Sequence, residues 1–251
     1  MRALILSDIH GNLEALEAVL AAAEGKYDEI WNLGDMVGYG ASPNQVIDLI
    51  RPLESVVLRG NHDRVCCGLT TPNSFNPTAR AAALWTRNEL TQVNLIWLRE
   101  LQQGPLKPAQ EGIACAHGSP LDEDHYILNM RDAWAPLQQM TTPITFFGHT
   151  HIQGGFSQKD HDWHELRPRF HTRNDRESWT IALQPGTRHL INPGSIGQPR
   201  DHDWRAAYAI YDDVRCEIAY HRVPYDLVAA QGRILMAGLP DRLAARLREG
   251  R

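Results

Sequence analysis

The sequence predicts an α/β fold built in layers, on three observations. Short apolar segments alternate with segments of helical periodicity through the first half of the chain. Each apolar segment there ends in a small residue beside Asp, Asn or His. The composition, 43% hydrophobic and 22% charged over 251 residues, is enough to bury a sizeable core and excludes a disordered chain.

Taken in order, Arg2–Leu6 reads as a strand and Asn12–Glu24 as a helix, with Leu13, Leu16, Val19 and Leu20 on one face. Glu29–Leu33 is a second strand. Ser42 and Pro43 form a helix start, a hydroxyl cap followed by proline at the first helical position. That helix runs to about Arg51, and Ser55–Leu58 is a third strand. Pro77–Leu101 is mostly helical, in one or two pieces. Gly112–Ala116, a helix over Arg131–Met140 that tolerates Pro136, and a strand at Ile144–Phe147 complete the βαβα series.

Beyond Gly154 the character changes. Residues 157–188 are polar, rich in His, Arg and Trp, and without a clear period, which suits an irregular hairpin or a surface excursion. Strands resume at His189–Asn192, Ala206–Tyr211 and Cys216–His221, the last two as a hairpin turning at Asp212-Asp213. Tyr225–Arg248 is helical with a break at Gly238-Leu239-Pro240. No repeat or linker interrupts the chain, so one domain over residues 1–251 is expected.

Lys and Arg total 25 against 30 for Asp and Glu, and a net charge of -5 excludes a protein held to nucleic acid mainly by overall charge. The four cysteines form no CxxC pair, so neither a disulfide scaffold nor a thiolate zinc site is expected. No apolar run is long enough for a signal-peptide core or a membrane span. A soluble protein of a reducing, cytoplasmic compartment is the expectation. The unusual count is the 12 histidines.

The strand ends collect them. The five strands of the first half are followed by Ser7-Asp8-Ile9-His10-Gly11, Gly34-Asp35, Gly60-Asn61-His62-Asp63, His117-Gly118 and Gly148-His149-Thr150-His151. In open α/β sheets the functional crevice lies at the carboxyl ends of the strands. In extended chain, residues i and i+2 share a side, so Asp8 with His10, His149 with His151, and Asn61 with Asp63 are each expected to aim at one point. Seven nitrogen or oxygen donors (Asp8, His10, Asp35, Asn61, His117, His149 and His151) exceed what one tetrahedral ion uses. They suit two ions sharing a bridging ligand. A single Asp or His at a strand end is commonly a turn former or cap; the joint occurrence in order is the signal.

This ordered set, D-x-H, G-D, G-N-H-D, a single H and G-H-x-H, resembles the calcineurin-like metallophosphoesterases. The stretches 7–16 and Asn192–Asp201 resemble its small bacterial and archaeal branch of phosphodiesterases and diadenosine-tetraphosphatase-like proteins. The resemblance implies a four-layer α/β/β/α sandwich, two mixed sheets flanked by helices. It implies that Asp8, His10 and His151 bind one metal, that Asn61, His117 and His149 bind a second, and that Asp35 bridges them. His62 would stand beside the metals as general acid, positioned by Asp63.

Two divalent ions offset by the two carboxylates leave about +2 at such a site, which suits an anionic phosphoester. The expected reaction is attack by a metal-bridging hydroxide, in line with a leaving oxygen that His62 protonates. Donors without thiolate favour Mn, Fe, Co, Ni or Zn, with Mn expected in an assay. The expected substrate is a small phosphoester, of nucleotide type among the candidates, with no membrane or stable nucleic-acid partner. Phosphodiester hydrolysis leads phosphomonoester and dinucleoside-polyphosphate hydrolysis. The competing class is a non-catalytic scaffold with the same fold, which has no need of His62. Arg200 is a candidate contact to substrate phosphate, Asn192–Ser195 a tight turn, and Cys66-Cys67 a buried apolar pair. His161, His164 and His171, with their neighbouring arginines, read first as a solvated segment, and His125, His189, His202 and His221 as surface or core residues.

Overall fold

The computed structural model describes residues 1–53 and 56–251. Ser55, the first residue of the expected third strand, lies outside the described residues. The strands are β1 Arg2–Leu6, β2 Glu29–Asn32, β3 Val56–Val57, β4 Ile113–Cys115, β5 Ile144–Phe146, β6 Gly154–Lys159, β7 Asp162–Leu166, β8 Glu177–Ala182, β9 Arg188–Asn192, β10 Ala206–Asp212 and β11 Glu217–Val223. The helices are α1 Leu13–Ala23, α2 Pro43–Ile50, α3 Asn61–Cys66, α4 Pro77–Glu89, α5 Gln92–Glu100, α6 Met130–Gln139, α7 Leu227–Met236 and α8 Asp241–Glu249.

Two sheets form. One has the order β3-β2-β1-β10-β11-β8 and the other β4-β5-β9-β6-β7. Both are mixed: β1, β2 and β3 run parallel, as do β4, β5 and β9, while β10, β11, β8, β6 and β7 join antiparallel. The alternation within β1 shows how the layers arise. Leu4 and Leu6 face a core shared with α1, α2 and α7, whereas Ala3 and Ile5 face the second sheet with Trp31, Phe146, Ile191 and Tyr220. The far face of the second sheet packs Phe156 and Leu190 against Ala133 and Leu137 of α6. Four layers result, α/β/β/α, as the resemblance implies.

Local chemistry starts and stops the helices. Asn12 caps α1 by accepting from Ala15 N at 3.2 Å, and the long helical region divides where Thr91 caps α5 through Asn94 N. The C-terminal break at Gly238 separates α7 from α8, as expected. Residues 157–188 are more ordered than their composition suggests. They continue β6, form a hairpin with β7, then cross to the other sheet as β8. Both β7 and β8 are edge strands with one face in solvent, and β8 carries only a short alternation, Trp179 and Ile181 packed inward between exposed Ser178 and Thr180. His161, His164 and His171 are exposed on this rim.

Candidate metal centre

Five parallel strands deliver the site, β1, β2 and β3 from one sheet and β4 and β5 from the other. The residues just past their carboxyl ends meet where the two sheet edges adjoin. The ligand atoms of Asp8, His10, Asp35 and His151 lie within 4.8 Å of one another, and so do those of Asp35, His117 and His149. Asp35 belongs to both groups, and all six residues are buried.

The backbone reaches this arrangement differently from the extended chain the spacing suggests. Asp8, His10, Asp35, His149 and His151 have φ of 53°, 50°, 56°, 66° and 61°. Left-handed conformations are costly for residues with a side chain and gather at functional sites, where the surroundings enforce them. One consequence corrects the i, i+2 expectation. His149 and His151 do not aim at one point but serve the two different groups. Asn61-His62-Asp63 is not extended either: it is the first turn of α3, so its side chains fan out around a helix axis.

Four imidazoles are oriented by carbonyl oxygens. His10 Nδ1 faces Val37 O at 3.2 Å, His151 Nδ1 faces Gln198 O at 2.6 Å, His117 Nδ1 faces Leu33 O at 2.9 Å, and His149 Nε2 faces Asp124 O at 3.3 Å. In a neutral ring the nitrogen facing a carbonyl carries the proton, which leaves the other nitrogen a lone pair. Those lone pairs converge. His10 Nε2 is 3.1 Å from His151 Nε2, and His117 Nε2 is 3.2 Å from His149 Nδ1 and 3.1 Å from Asn61 Oδ1. Asp8 Oδ1, buried and without a hydrogen-bond partner, lies 3.3 Å from His151 Nε2. Its other oxygen is anchored by Ser7 Oγ at 2.8 Å and His149 N at 3.0 Å. Asp35 Oδ2 is 3.7 Å from His10 Nε2 and 3.4 Å from His117 Nε2. Buried acceptors facing acceptors repel one another unless positive charge lies among them.

The titration of the cluster repeats this demand. Burial pushes His117 down, but Asp35 and Asp8 outweigh it and lift it to about 10. Burial and the neighbouring His117 charge drop His149 to about 3. Burial likewise drives His10 well below the ordinary histidine range. Asp35 lies well below the carboxylate range because His117, His62 and His10 outweigh its burial. A nitrogen–oxygen donor set of this kind fits divalent transition-metal ions.

Two residues of the expected catalytic pair separate. His62 stands at the site without joining either ligand group. Its ring lies 4.9 Å from His10, 4.4 Å from Tyr39 and 4.5 Å from Phe75, and burial pushes it down to about 4. Asp63 does not position that ring, which corrects the expectation. Its carboxylate accepts from Asp35 N at 2.8 Å, Gly60 N at 3.0 Å and Val37 N at 3.1 Å, while His62 Nδ1 has no partner. Three backbone amides outbid a side chain that points off the same helical turn elsewhere. Asp63 therefore pins the Asp35 loop to α3. Gly60 permits the pinning, since a side chain there would collide with the Asp35 carboxylate.

Sequence reasoning missed other contributors. Asn192, beyond making its turn through Gly194 N at 2.8 Å, donates to Gly148 O and Thr150 Oγ1, both at 2.9 Å. Ser195 Oγ donates to Asp8 O at 2.7 Å. Their signal was the polar run after β9, the parallel neighbour of β5. Tyr126 stacks on His149 with centroids 3.9 Å apart, and a cavity of about 300 Å³ opens beside Asn61, Phe75, Tyr126 and His149. The carbonyls that orient the histidines have no sequence signal. Cys66, Cys67 and Cys115 are buried free thiols and Cys216 is exposed.

A two-sheet sandwich with a buried His/Asp cluster at adjoining strand ends defines a metallophosphoesterase. The chain belongs to the calcineurin-like phosphoesterase superfamily, whose domain matches residues 1–214, and it is a metal-dependent phosphoester hydrolase. It is 34% identical over 253 residues to an uncharacterized protein of Methanocaldococcus jannaschii, covering 98% of this chain and 97% of that one. A metallophosphoesterase of known crystal structure from Sphaerobacter thermophilus shares 38% identity and superposes with a TM-score of 0.84 over 100% of this chain and 99% of that one. A partial match, 33% over 104 residues, covers 39% of this chain and 37% of a symmetrical bis(5'-nucleosyl)-tetraphosphatase from Pectobacterium carotovorum. No helix among the described residues is long and apolar enough to cross a membrane.

Proposed function

We propose that the protein is a dinuclear phosphodiesterase acting on small, nucleotide-type phosphodiesters. The observation that carries this reading is Asp35, whose carboxylate is common to two groups of converging lone pairs. Asp8, His10 and His151 would hold one ion, Asn61, His117 and His149 the other, and Asp35 both. Two divalent cations at this place supply positive charge for the phosphoryl oxygens and acidify water near neutral pH. Mn is the ion of choice for assay, given imidazole, carboxylate and amide donors.

The protein's own groups do the rest. The carbonyls of Val37, Leu33, Asp124 and Gln198 fix each imidazole in the tautomer that presents its lone pair inward. His62 Nδ1 packs against Gly38 without a partner, so Nε2 is the nitrogen left to meet substrate. Burial keeps this ring neutral at rest. An anionic phosphoester beside it raises its proton affinity, so that His62 would take up a proton from solvent as substrate binds and give it to the leaving alkoxide. The neutral resting state explains how an imidazole coexists with the nearby cations. The full donor set together with His62 supports an enzyme over a scaffold. The partial match to a dinucleoside tetraphosphatase supports a nucleotide substrate. The free thiols are consistent with a reducing, cytoplasmic compartment.

Asp35→Ala tests the reading. The variant is expected to lose most bound metal and at least about a thousandfold of kcat toward bis(p-nitrophenyl) phosphate with Mn. Elemental analysis and turnover read both quantities. A variant that keeps two ions and near wild-type turnover sinks the bridging role.

A further inference from the structure

Asn61, His117 and His149 stand at the ends of three different elements: the first turn of α3, the end of β4 and the end of β5. One arginine links them. Arg64 follows Asn61 by three residues in α3, which puts both on the same side of the helix. Its guanidinium reaches the loop of residues 118–126. There Nη1 donates to Glu123 Oε1, and Nη2 donates to both oxygens of Asp124, at 2.9 and 2.7 Å. The Glu123 side chain is 9% exposed and that of Asp124 52%. Solvent screens the Glu123 pair less, so it carries most of the hold.

The same loop leaves directly from His117 and returns over His149. Ser119 N donates to His125 O at 3.2 Å, which closes it. Asp124 O faces His149 Nε2 at 3.3 Å, and Tyr126 stacks on the same ring with centroids 3.9 Å apart. The tautomer that turns His149 Nδ1 inward, 3.2 Å from His117 Nε2, therefore depends on where residue 124 is held. His117 Nε2 in turn lies 3.1 Å from Asn61 Oδ1. Arg64 and Asp124 also line the cavity of about 300 Å³ that opens beside Asn61 and His149, so their ion pair forms part of its wall. One guanidinium against two carboxylates leaves a net negative charge, and the bridge adds no repulsion toward a cation. The other donor group is oriented elsewhere: His10 and His151 face the carbonyls of Val37 and Gln198, outside this loop.

We propose that Arg64 is a positioning residue for the second metal ion. By bridging α3 to the loop of residues 118–126 it holds His149 in register with Asn61 and His117, so the affinity of that ion depends on it and the affinity of the first does not. This inference rests on the proposed two-ion reading, which names those three residues as the second ion's donors.

Metal binding tests it without requiring turnover. Metal-free protein is titrated with Mn by calorimetry. The loaded samples are then read by electron paramagnetic resonance, in which two coupled ions differ from an isolated one. Wild type is expected to take two ions and to give the coupled signal. Arg64→Gln is expected to weaken one ion about 10–100-fold, to leave the other unchanged, and to give the isolated signal when Mn is limiting. Arg64→Lys, which keeps charge without the fork, should fall between the two. Glu123→Gln should weaken the same ion more than Asp124→Asn does. Thermal melts of the metal-free variants check folding, and should Arg64→Gln fail to fold, Glu123→Gln carries the comparison. Two ions held as tightly in every variant as in wild type overturn the positioning role. So does equal weakening of both ions, which marks a general structural lesion. A wild type that takes fewer than two ions removes the two-ion reading, and this inference with it.

Discussion

A Cβ added at Gly38 would lie 2.6 Å from His62 Nδ1, and Gly38 itself holds φ +89°. The room for the His62 ring is thus set by a glycine of the loop after Asp35. Two variants separate presence of the ring from its placement. His62→Ala is expected to keep its metal and lose about 10²–10³ in kcat, most for esters with poor leaving groups, as removal of a general acid does. Gly38→Ala is expected to give a smaller loss of the same kind, because the ring remains but is displaced. Metal content by elemental analysis and kcat against leaving-group pKa check both, and loss of metal from His62→Ala would place the ring among the ligands. At this scale the residues that gather at the cluster were legible. Asp8, His10, Asp35, Asn61, His117, His149 and His151 announce themselves by following strands. Partners that are backbone carbonyls, such as Val37 O and Gln198 O, were not, since every residue has one.

The element that holds the centre together is the first turn of α3. Gly60 caps it, Asn61 points to His117, His62 to the aromatic pocket, and Asp63 back to the amides of Asp35, Val37 and Gly60. The spacing G-N-H-D was read as extended chain because a strand precedes it, and six residues are too few for a hydrophobic period to show. The pairing of Asp63 with His62 came separately, from the family resemblance, and the helical turn instead aims the Asp63 carboxylate at the amides. Asp63→Ala is therefore expected to behave as a structural lesion. It should cost about 2–4 kcal/mol from the amides left unpaired in a buried place, and it should weaken metal binding by loosening Asp35. The urea midpoint and metal content of the variant check this. A variant with wild-type stability and full metal but slow turnover would return Asp63 to the positioning of His62. Residues 157–188 suited an irregular hairpin or a surface excursion, and the hairpin of β6 with β7 is found, but β8 was not delimited.

Over the whole molecule, the layer order follows from where the parallel strands end. β1, β2 and β3 in one sheet and β4 and β5 in the other present their carboxyl ends to a common edge. Alternating apolar and helical segments made the parallel strands legible. The division into two sheets was not legible, because one run of such segments fits one sheet as well as two, and it entered through the family resemblance. The centre therefore joins sheets that otherwise meet through apolar packing around Trp31, Phe146 and Tyr220 and a buried hydrogen bond from Tyr220 Oη to Gly154 O at 2.7 Å. Donors drawn from both sheets would make metal binding a stabilising link between them. An ion present at a hundred times its dissociation constant contributes about 2.7 kcal/mol. For a chain of this length, one such ion is worth about 5–10 °C in melting temperature. Dialysis against a chelator is expected to lower the melting temperature by at least that much, and added Mn to restore it in a concentration-dependent way. Asp35→Ala should show little of this response, since its carboxylate is shared by both ligand groups. A melting temperature indifferent to chelation in the wild type would mean that the buried lone pairs are satisfied by protons rather than cations.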